Sequence, residues 1–433
     1  YKEAPMLRVK VAAGELPPVE ERLPEEPLII KPLEEIGQYG GTWHRAYLGS
    51  SAVLVRYILY EYPIRYSQDF KRIVPSVCKD WEVSKDNKHI TFYLRKGMKW
   101  SDGAPFTTDD IMFWYKDILL NKELTPIVHT AYKVAGEVMK IEKIDDYTYR
   151  ISFAKPNGSF LRLMTSISAV GIVWAPKHYL KQFHPKYTPM EEIKKMMKKE
   201  GFTRWTDLFL DKKAWDNPEL PVIHAWYPLD RDGATIQRFV RNPYYWKVDT
   251  EGNQLPYIDR IEQTLLSSAE TIILKTIAGE IDFQRDGIAS IINYPLLMQN
   301  REKANYRLIP SKDLGFVDTL WINNFHKDPV MRKLFRDKRF RIALSIAINR
   351  ELISEFLFKG LATPSQMTCS ETMLWYDEKI AKLYTEYNPE KANKLLDEIG
   401  LKWDKNHKYR LRPDGKRLRI VINPFQSKGT EYA

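Results

Sequence analysis

Hydrophobic positions along the chain change their period several times, and each change predicts an element. From Thr42 onward aromatic and β-branched residues alternate with polar ones, which predicts strands. Trp81–Ser84 and His89–Leu94 form a predicted hairpin around the polar turn Lys85–Lys88. A second turn at Asp102–Gly103 precedes a helix, with Thr107 as N-cap, Asp110 at N3, and Ile111, Trp114 or Tyr115, and Ile118 at helical spacing. Further on, Met190, Ile193 and Met197 share one helical face and Glu191 and Lys195 another, up to a stop at Gly201. Two more helices are predicted over Ser267–Gly279, opened by a Ser267/Glu270 capping box, and over Asn388–Gly400, with Pro389 in the first turn. Between them Arg339–Gly360 is the longest helical pattern. Six of the 26 prolines fall before Gly37, so this arm is not one long helix and is expected to wrap the surface as extended chain, with order beginning at Gly40–Gly41. Strands in hairpins and strands beside helices together predict a mixed α/β class.

Composition narrows the class. The 433 residues are enough for two or three domains, and 44% hydrophobic with 28% charged residues excludes disordered, collagen-like and membrane-bundle chains. No run approaches the roughly 18 apolar residues of a spanning helix, since Ser51–Tyr60 is broken by Arg56. The 67 Lys+Arg against 56 Asp+Glu give a net charge of +11, but bases alternate with acids, as over Glu191–Glu200. That pattern predicts solvated faces and no nucleic-acid partner. Cys78 and Cys369 stand too far apart for a CxxC motif and are expected to be buried small hydrophobes. The opening YKEAPMLRVK has no apolar leader segment and no initiator Met, and reads as a processed or trimmed chain.

Several segments together resemble the extracytoplasmic solute-binding proteins of ABC importers, in the large oligopeptide/dipeptide-binding family (family 5). The strongest is FYLRKGMKWSDGAPFTTDDIMFWY, Phe92–Tyr115, a strand, a basic-Gly turn, an Asp-Gly turn and a Thr-x-x-Asp helix start. Also similar to that family, and in its order, are Leu59–Ile90; FVRNPYYW with LPYIDRI and AGEIDF; RFRIALSIAINRELI; and YNPEKANKLLDEIG. The Tyr245–Ile261 insert and the proline-rich arm resemble a longer-chain subgroup, and some members of the wider family take oligosaccharides instead of peptides. The resemblance implies an α/β, two-lobe periplasmic-binding-protein-like fold of the large three-domain type, closing over ligand about a hinge. It assigns residues 1–60 plus 163–318 to a first lobe, 61–162 to an inserted smaller domain, and 319–433 to a second lobe whose C-terminal part is missing. It further implies capture of oligopeptides outside the cytoplasmic membrane, in the periplasm or extracellularly, by a monomer anchored or not through a processed N-terminus, and delivery to ABC permease subunits. Oligosaccharide is the alternative ligand.

By position in the family pattern, the candidate ligand contacts are Trp43, His44, Tyr60 and Glu61 in the first lobe, and Trp321, Asn323, Asn324, Gln366 and Met367 in the second. Taken singly, each has a plainer reading: Trp as core, Asn as turn former, Met as gap filler. A peptide's amine end needs a carboxylate, which the resemblance places in the part missing here, with Glu61 the weaker substitute. A more distant alternative is a carbohydrate-active hydrolase with two opposed carboxylates. Asp102, Asp109 and Asp110 are its candidate acids, but turn and helix-start positions account for them. His178 and His184 lack the spacing of a helical metal pair, and no HExxH, GxSxG, P-loop or GxGxxG is present. No catalytic residue, metal site or cofactor is therefore assigned.

Overall fold

The computed structural model describes residues 1–50, 58, 61–166, 171–288, 292–309, 319–371, 373 and 375–423. The chain divides into two compact units, Tyr1–Ile288 with Lys303–Tyr306, and Ala289–Glu302 with Arg307–Ala433.

The first unit carries two four-stranded sheets. One is antiparallel, in the order Cys78–Val83, His89–Leu94, Thr148–Ser152, Lys140–Asp145. Its first pair is the hairpin expected around Lys85–Lys88. The other is mixed, in the order Trp226–Pro228, Ile236–Arg241, Arg260–Leu265, Thr42–Tyr47, with only the last pair parallel. One apolar core runs from Ile64 to Trp246 and includes the fully buried Phe92, Phe106, Trp100 and Tyr149. The Phe92 and Tyr149 rings stack at 5.3 Å across the antiparallel sheet.

The Phe92–Tyr115 signature is explained by this core. Thr107 accepts the Asp109 N–H at 3.2 Å, while Asp110 accepts from Thr107 N at 3.1 Å, Trp100 Nε1 at 3.3 Å and Lys177 N at 2.9 Å. The Asp that opens the helix Thr108–Phe113 thus also fixes the Trp100 indole and the start of the Lys177–Leu180 helix. Asp102 accepts from Ala104 N at 3.1 Å in its turn and meets His178 at 2.8 Å, and Asp109 pairs with Lys143 at 2.8 Å.

The N-terminal arm departs from the extended chain expected. Pro5–Ala12 is helical because Pro at the first turn gives up no hydrogen bond there, and a short Val19–Arg22 turn follows. Extended structure is confined to Leu28–Ile30, which pairs in parallel with Lys247–Asp249. Arg22, fully buried, pairs with Glu3 and donates to Gln254 Oε1 at 3.0 Å and to the Pro243 carbonyl. At Gly37 an added Cβ would lie 2.3 Å from the Tyr257 ring. The arm and the Tyr245–Ile261 insert, the two features that set the sequence apart, are therefore packing partners.

The second unit is helical, with Pro329–Arg336, Lys338–Ile346, Arg350–Phe358 and Pro389–Glu398. The single long helix expected over Arg339–Gly360 is two, because the Asn349 side chain accepts the Leu352 N–H at 2.9 Å and starts a new helix. Similarly, the helix Ala269–Ile277 in the first unit is capped by Ser268, not Ser267. Cys78 is buried as expected, whereas Cys369 is only half-buried. Among the described residues no helix is long and apolar enough to cross a membrane.

Candidate functional site

The strand Thr42–Tyr47 lies at the edge of the mixed sheet, with Trp43 paired to Ile261 and His44 to Glu262. Alternation along the strand turns Trp43 and Arg45 to one face and His44 to the other. On the Trp43 face the rings of Phe283 and Trp226 lie 5.7 and 6.4 Å away, edge-on. Arg45 is buried, with its guanidinium 5.2 Å from the Trp43 ring centre and 3.7 Å from Asp286. Trp174, Trp215 and Trp226 pack half-buried against the same small cluster of Ile58, Phe239 and Ile261. His224 meets the edge of Trp174 at 4.5 Å.

Within this aromatic group the Trp43 indole nitrogen and His224 Nδ1 have no hydrogen-bond partner among the described residues. Both are buried from solvent, where an unmet donor or acceptor costs about 1–3 kcal/mol. His224 is 4% exposed, and burial, reinforced by the positive charge of Lys247, lowers its pKa to about 3. The imidazole is neutral at physiological pH, so it offers one donor and one acceptor nitrogen. The half-buried Trp43 and Trp226 rings offer faces for stacking, and the two nitrogens beneath them can meet neutral hydroxyl or amide groups once the side chains over them move aside.

The other sequence candidates fall elsewhere. His44 is exposed and clamps Asp282, whose carboxylate accepts from His44 N at 2.6 Å and lies 3.0 Å from Nδ1. Tyr60 lies outside the described residues. Glu61, the candidate for a peptide amine, is 6% exposed. Its carboxylate accepts from Lys247 Nζ at 2.7 and 2.8 Å and from the Tyr245 hydroxyl at 2.6 Å, an internal ion pair. In the second unit Trp321 and Met367 are exposed. Asn323 accepts from Phe325 N at 3.0 Å, and the Asn324 carbonyl accepts from Arg336 Nε at 2.8 Å. Gln366 donates to Ser345 Oγ at 2.8 Å, which ties its loop to the Lys338–Ile346 helix. Sequence reasoning did not single out Arg45, Trp174, His224 or Trp226. Arg45 was signalled by its position two residues from Trp43 on the same strand; Trp226 reaches Trp43 through the sheet, and Trp174 and His224 through packing against it. Among the described residues no group of three His, Cys, Asp or Glu side chains is placed to hold a metal ion.

Residues 72–431 match the model of the bacterial extracellular solute-binding proteins, family 5. The periplasmic alpha-galactoside-binding protein of Rhizobium meliloti is 29% identical over 93% of this chain and 60% of its own length. A solved oligopeptide-binding protein OppA is 45% identical with a TM-score of 0.78, over 96% of this chain and 66% of that one. The periplasmic binding protein MelB of Agrobacterium fabrum C58, solved with stachyose, is 27% identical with a TM-score of 0.68, over 96% of this chain and 65% of that one. The chain thus spans less than two thirds of the length of these relatives. With the match covering most of the sequence, the chain belongs to the bacterial extracellular solute-binding proteins of family 5.

Proposed function

We propose that the protein captures a neutral oligomeric solute, of which oligosaccharide is the class best supported, outside the cytoplasmic membrane, and delivers it to an ABC-type permease. The hinge closure, the monomeric state and the inserted-domain division implied by the family resemblance belong to this proposal. The observation that carries the ligand class is the unpartnered pair, Trp43 Nε1 and His224 Nδ1, set among Trp174, Trp226 and Phe283. Aromatic faces stack on the CH side of a sugar ring, and neutral N–H and N groups meet its hydroxyls without an ionic partner. The relatives named for alpha-galactosides and solved with stachyose support the same reading.

Oligopeptide, the ligand expected first from the sequence, is the second reading, favoured by the 45% identity to the solved OppA. Against it, Glu61 is already engaged by Lys247 and Tyr245, so the first unit offers no open carboxylate at that position for an amine end. In the second unit the exposed Trp321 and Met367 are carried forward as proposed contacts. No hydrolysis is assigned, and the relatives compared are solute-binding proteins.

Calorimetric titration with stachyose and with mixed tetrapeptides tests the ligand class. Saturable binding of the sugar, weakened about tenfold in Trp43→Phe, which keeps the ring and removes the N–H, is the expected result. Binding of peptides alone would overturn the oligosaccharide reading and leave the transport role intact.

A further inference from the structure

A depression in the first unit, of about 310 Å³, lies between the helices Met190–Glu200 and Trp205–Lys212. Its residues are distinct from those around Trp43. At its floor the Trp205–Lys212 helix begins without a side-chain cap, since Arg204 at the N-cap position supplies no acceptor. The amides of Asp207 and Leu208 turn back to the Arg204 carbonyl at 3.2 and 3.3 Å, while those of Trp205 and Thr206 lead the helix. Thr206, 3% exposed, also lines the depression, and its buried hydroxyl has no hydrogen-bond partner.

The chemistry of the walls selects the occupant. Arg204 and Lys194 stand beside the helix start, each also facing an acid of its own helix, Asp207 at 3.9 Å and Glu191 at 2.9 Å, and the helix start with these cations favours a carboxylate. Glu123 stands in the same depression, accepting from Trp205 Nε1 at 2.8 Å, and would repel a bare anion. Met190 and Met197 complete an apolar side with the Trp205 ring. A purely apolar molecule would leave the helix start and the Thr206 hydroxyl unmet, and an inorganic anion would leave the thioether side empty. A small zwitterion with an apolar side chain satisfies all three.

We propose that this depression is a binding site for a free apolar α-amino acid. The carboxylate sits at the start of the Trp205–Lys212 helix, the ammonium faces Glu123, and the side chain lies against Met190 and Met197. The volume suits one small molecule. The site is independent of the solute captured near Trp43.

The test is an NMR titration of protein labelled with ¹³C at the methionine methyls, with the Met190 and Met197 signals assigned through Met190→Leu and Met197→Leu. L-leucine is expected to shift both signals saturably, with Kd on the order of 1 mM. N-acetyl-L-leucinamide, which has neither charge, and inorganic phosphate are expected to leave them in place. Thr206→Val, which keeps the shape and removes the hydroxyl, is expected to weaken leucine roughly tenfold, and Glu123→Gln to weaken it as well. Absence of any saturable shift, or equal response to N-acetyl-L-leucinamide or to phosphate, would overturn the proposal. So would unchanged affinity in a folded Thr206→Val.

Discussion

In the first unit Trp100, Trp246, Phe92 and Phe106 are each at most 1% exposed, whereas in the second Trp321, Phe325 and Phe356 are 76, 81 and 74% exposed. The first unit packs one face of its antiparallel sheet into the core, with Ile90, Phe92, Leu94, Tyr149 and Ile151 turned inward, and buries its charges in pairs, as with Glu61–Lys247 and Arg22–Glu3. Among the described residues, the second buries two small clusters, around Phe340 and around Ile346. On the Arg350–Phe358 helix Leu352, Ile353, Phe356 and Leu357 all face outward. A dense core can hold a buried charge pair such as Glu61–Lys247, because the surrounding packing fixes the side chains. A thin core has less to hold with, so the same kind of substitution should act differently in the two units.

The largest expected effect is in the dense unit. Lys247→Met leaves the Glu61 carboxylate buried with only Tyr245 as partner, and should cost about 3–5 kcal/mol in urea unfolding followed by circular dichroism. Adding Glu61→Gln to it should recover most of that loss, since a neutral buried pair carries no uncompensated charge. If the double variant is as unstable as the single, the pair is not what the core is built around.

Phe340→Ala, in the second unit, should cost about 3 kcal/mol from its 1% exposed site. Hydrogen exchange read by mass spectrometry should show the lost protection over Pro329–Arg336 and Lys338–Ile346, with the sheets of the first unit unchanged. Loss of protection in both units together would erase the comparison.

Two titrations sharpen the picture of the dense unit. His224, held at about 3 against a usual 6.5, contributes stability that is present above pH 6.5 and lost as pH falls toward 3. Asp110, pushed up to about 6 from 3.8 by burial, which outweighs the hydrogen bonds that its carboxylate accepts, contributes stability that is present below pH 3.8 and lost as pH rises through 6. Between roughly pH 4 and 6 the two oppose each other. Relative to the parent, His224→Phe should therefore gain in thermal midpoint as pH falls through that window, and Asp110→Asn should lose. Parallel pH profiles for all three proteins would contradict the burial of these groups.

The smallest effect is expected at the outward face of the second unit. Phe356→Ser should change stability by no more than about 0.5 kcal/mol in the same urea assay, as an exposed side chain does. A much larger loss would show that this face is covered in solution.

Much of the fold was legible where the signal is local. The Thr107/Asp110 capping box and the hairpin around Lys85–Lys88 depend on residues a few positions apart, and both stand where the sequence places them. The break at Asn349 was not read, because Ala347, Ile348 and Asn349 keep the helical spacing while the Asn side chain caps a new start. Of the residues in the proposed site, Trp43 is the one that the sequence had singled out. Arg45 shares the Trp43 face by alternation along its own strand, whereas Trp226 is brought in by the strand pairing of the mixed sheet and Trp174 and His224 by packing from outside it, contacts that no local spacing reveals. Glu61 illustrates the converse. A carboxylate following a strand end suggests a ligand contact, yet its partners Tyr245 and Lys247 come from an insert far along the chain.

The most direct test of the account is the thermal midpoint of the parent protein and of Trp43→Phe in the presence of stachyose and of mixed tetrapeptides. At one hundred times Kd a ligand stabilises by about 2.7 kcal/mol, so stachyose should raise the parent's midpoint by several degrees and the variant's by clearly less at the same concentration. No shift with either class, or cleavage products in the ligand sample, would contradict capture of an oligomeric solute at the Trp43 face.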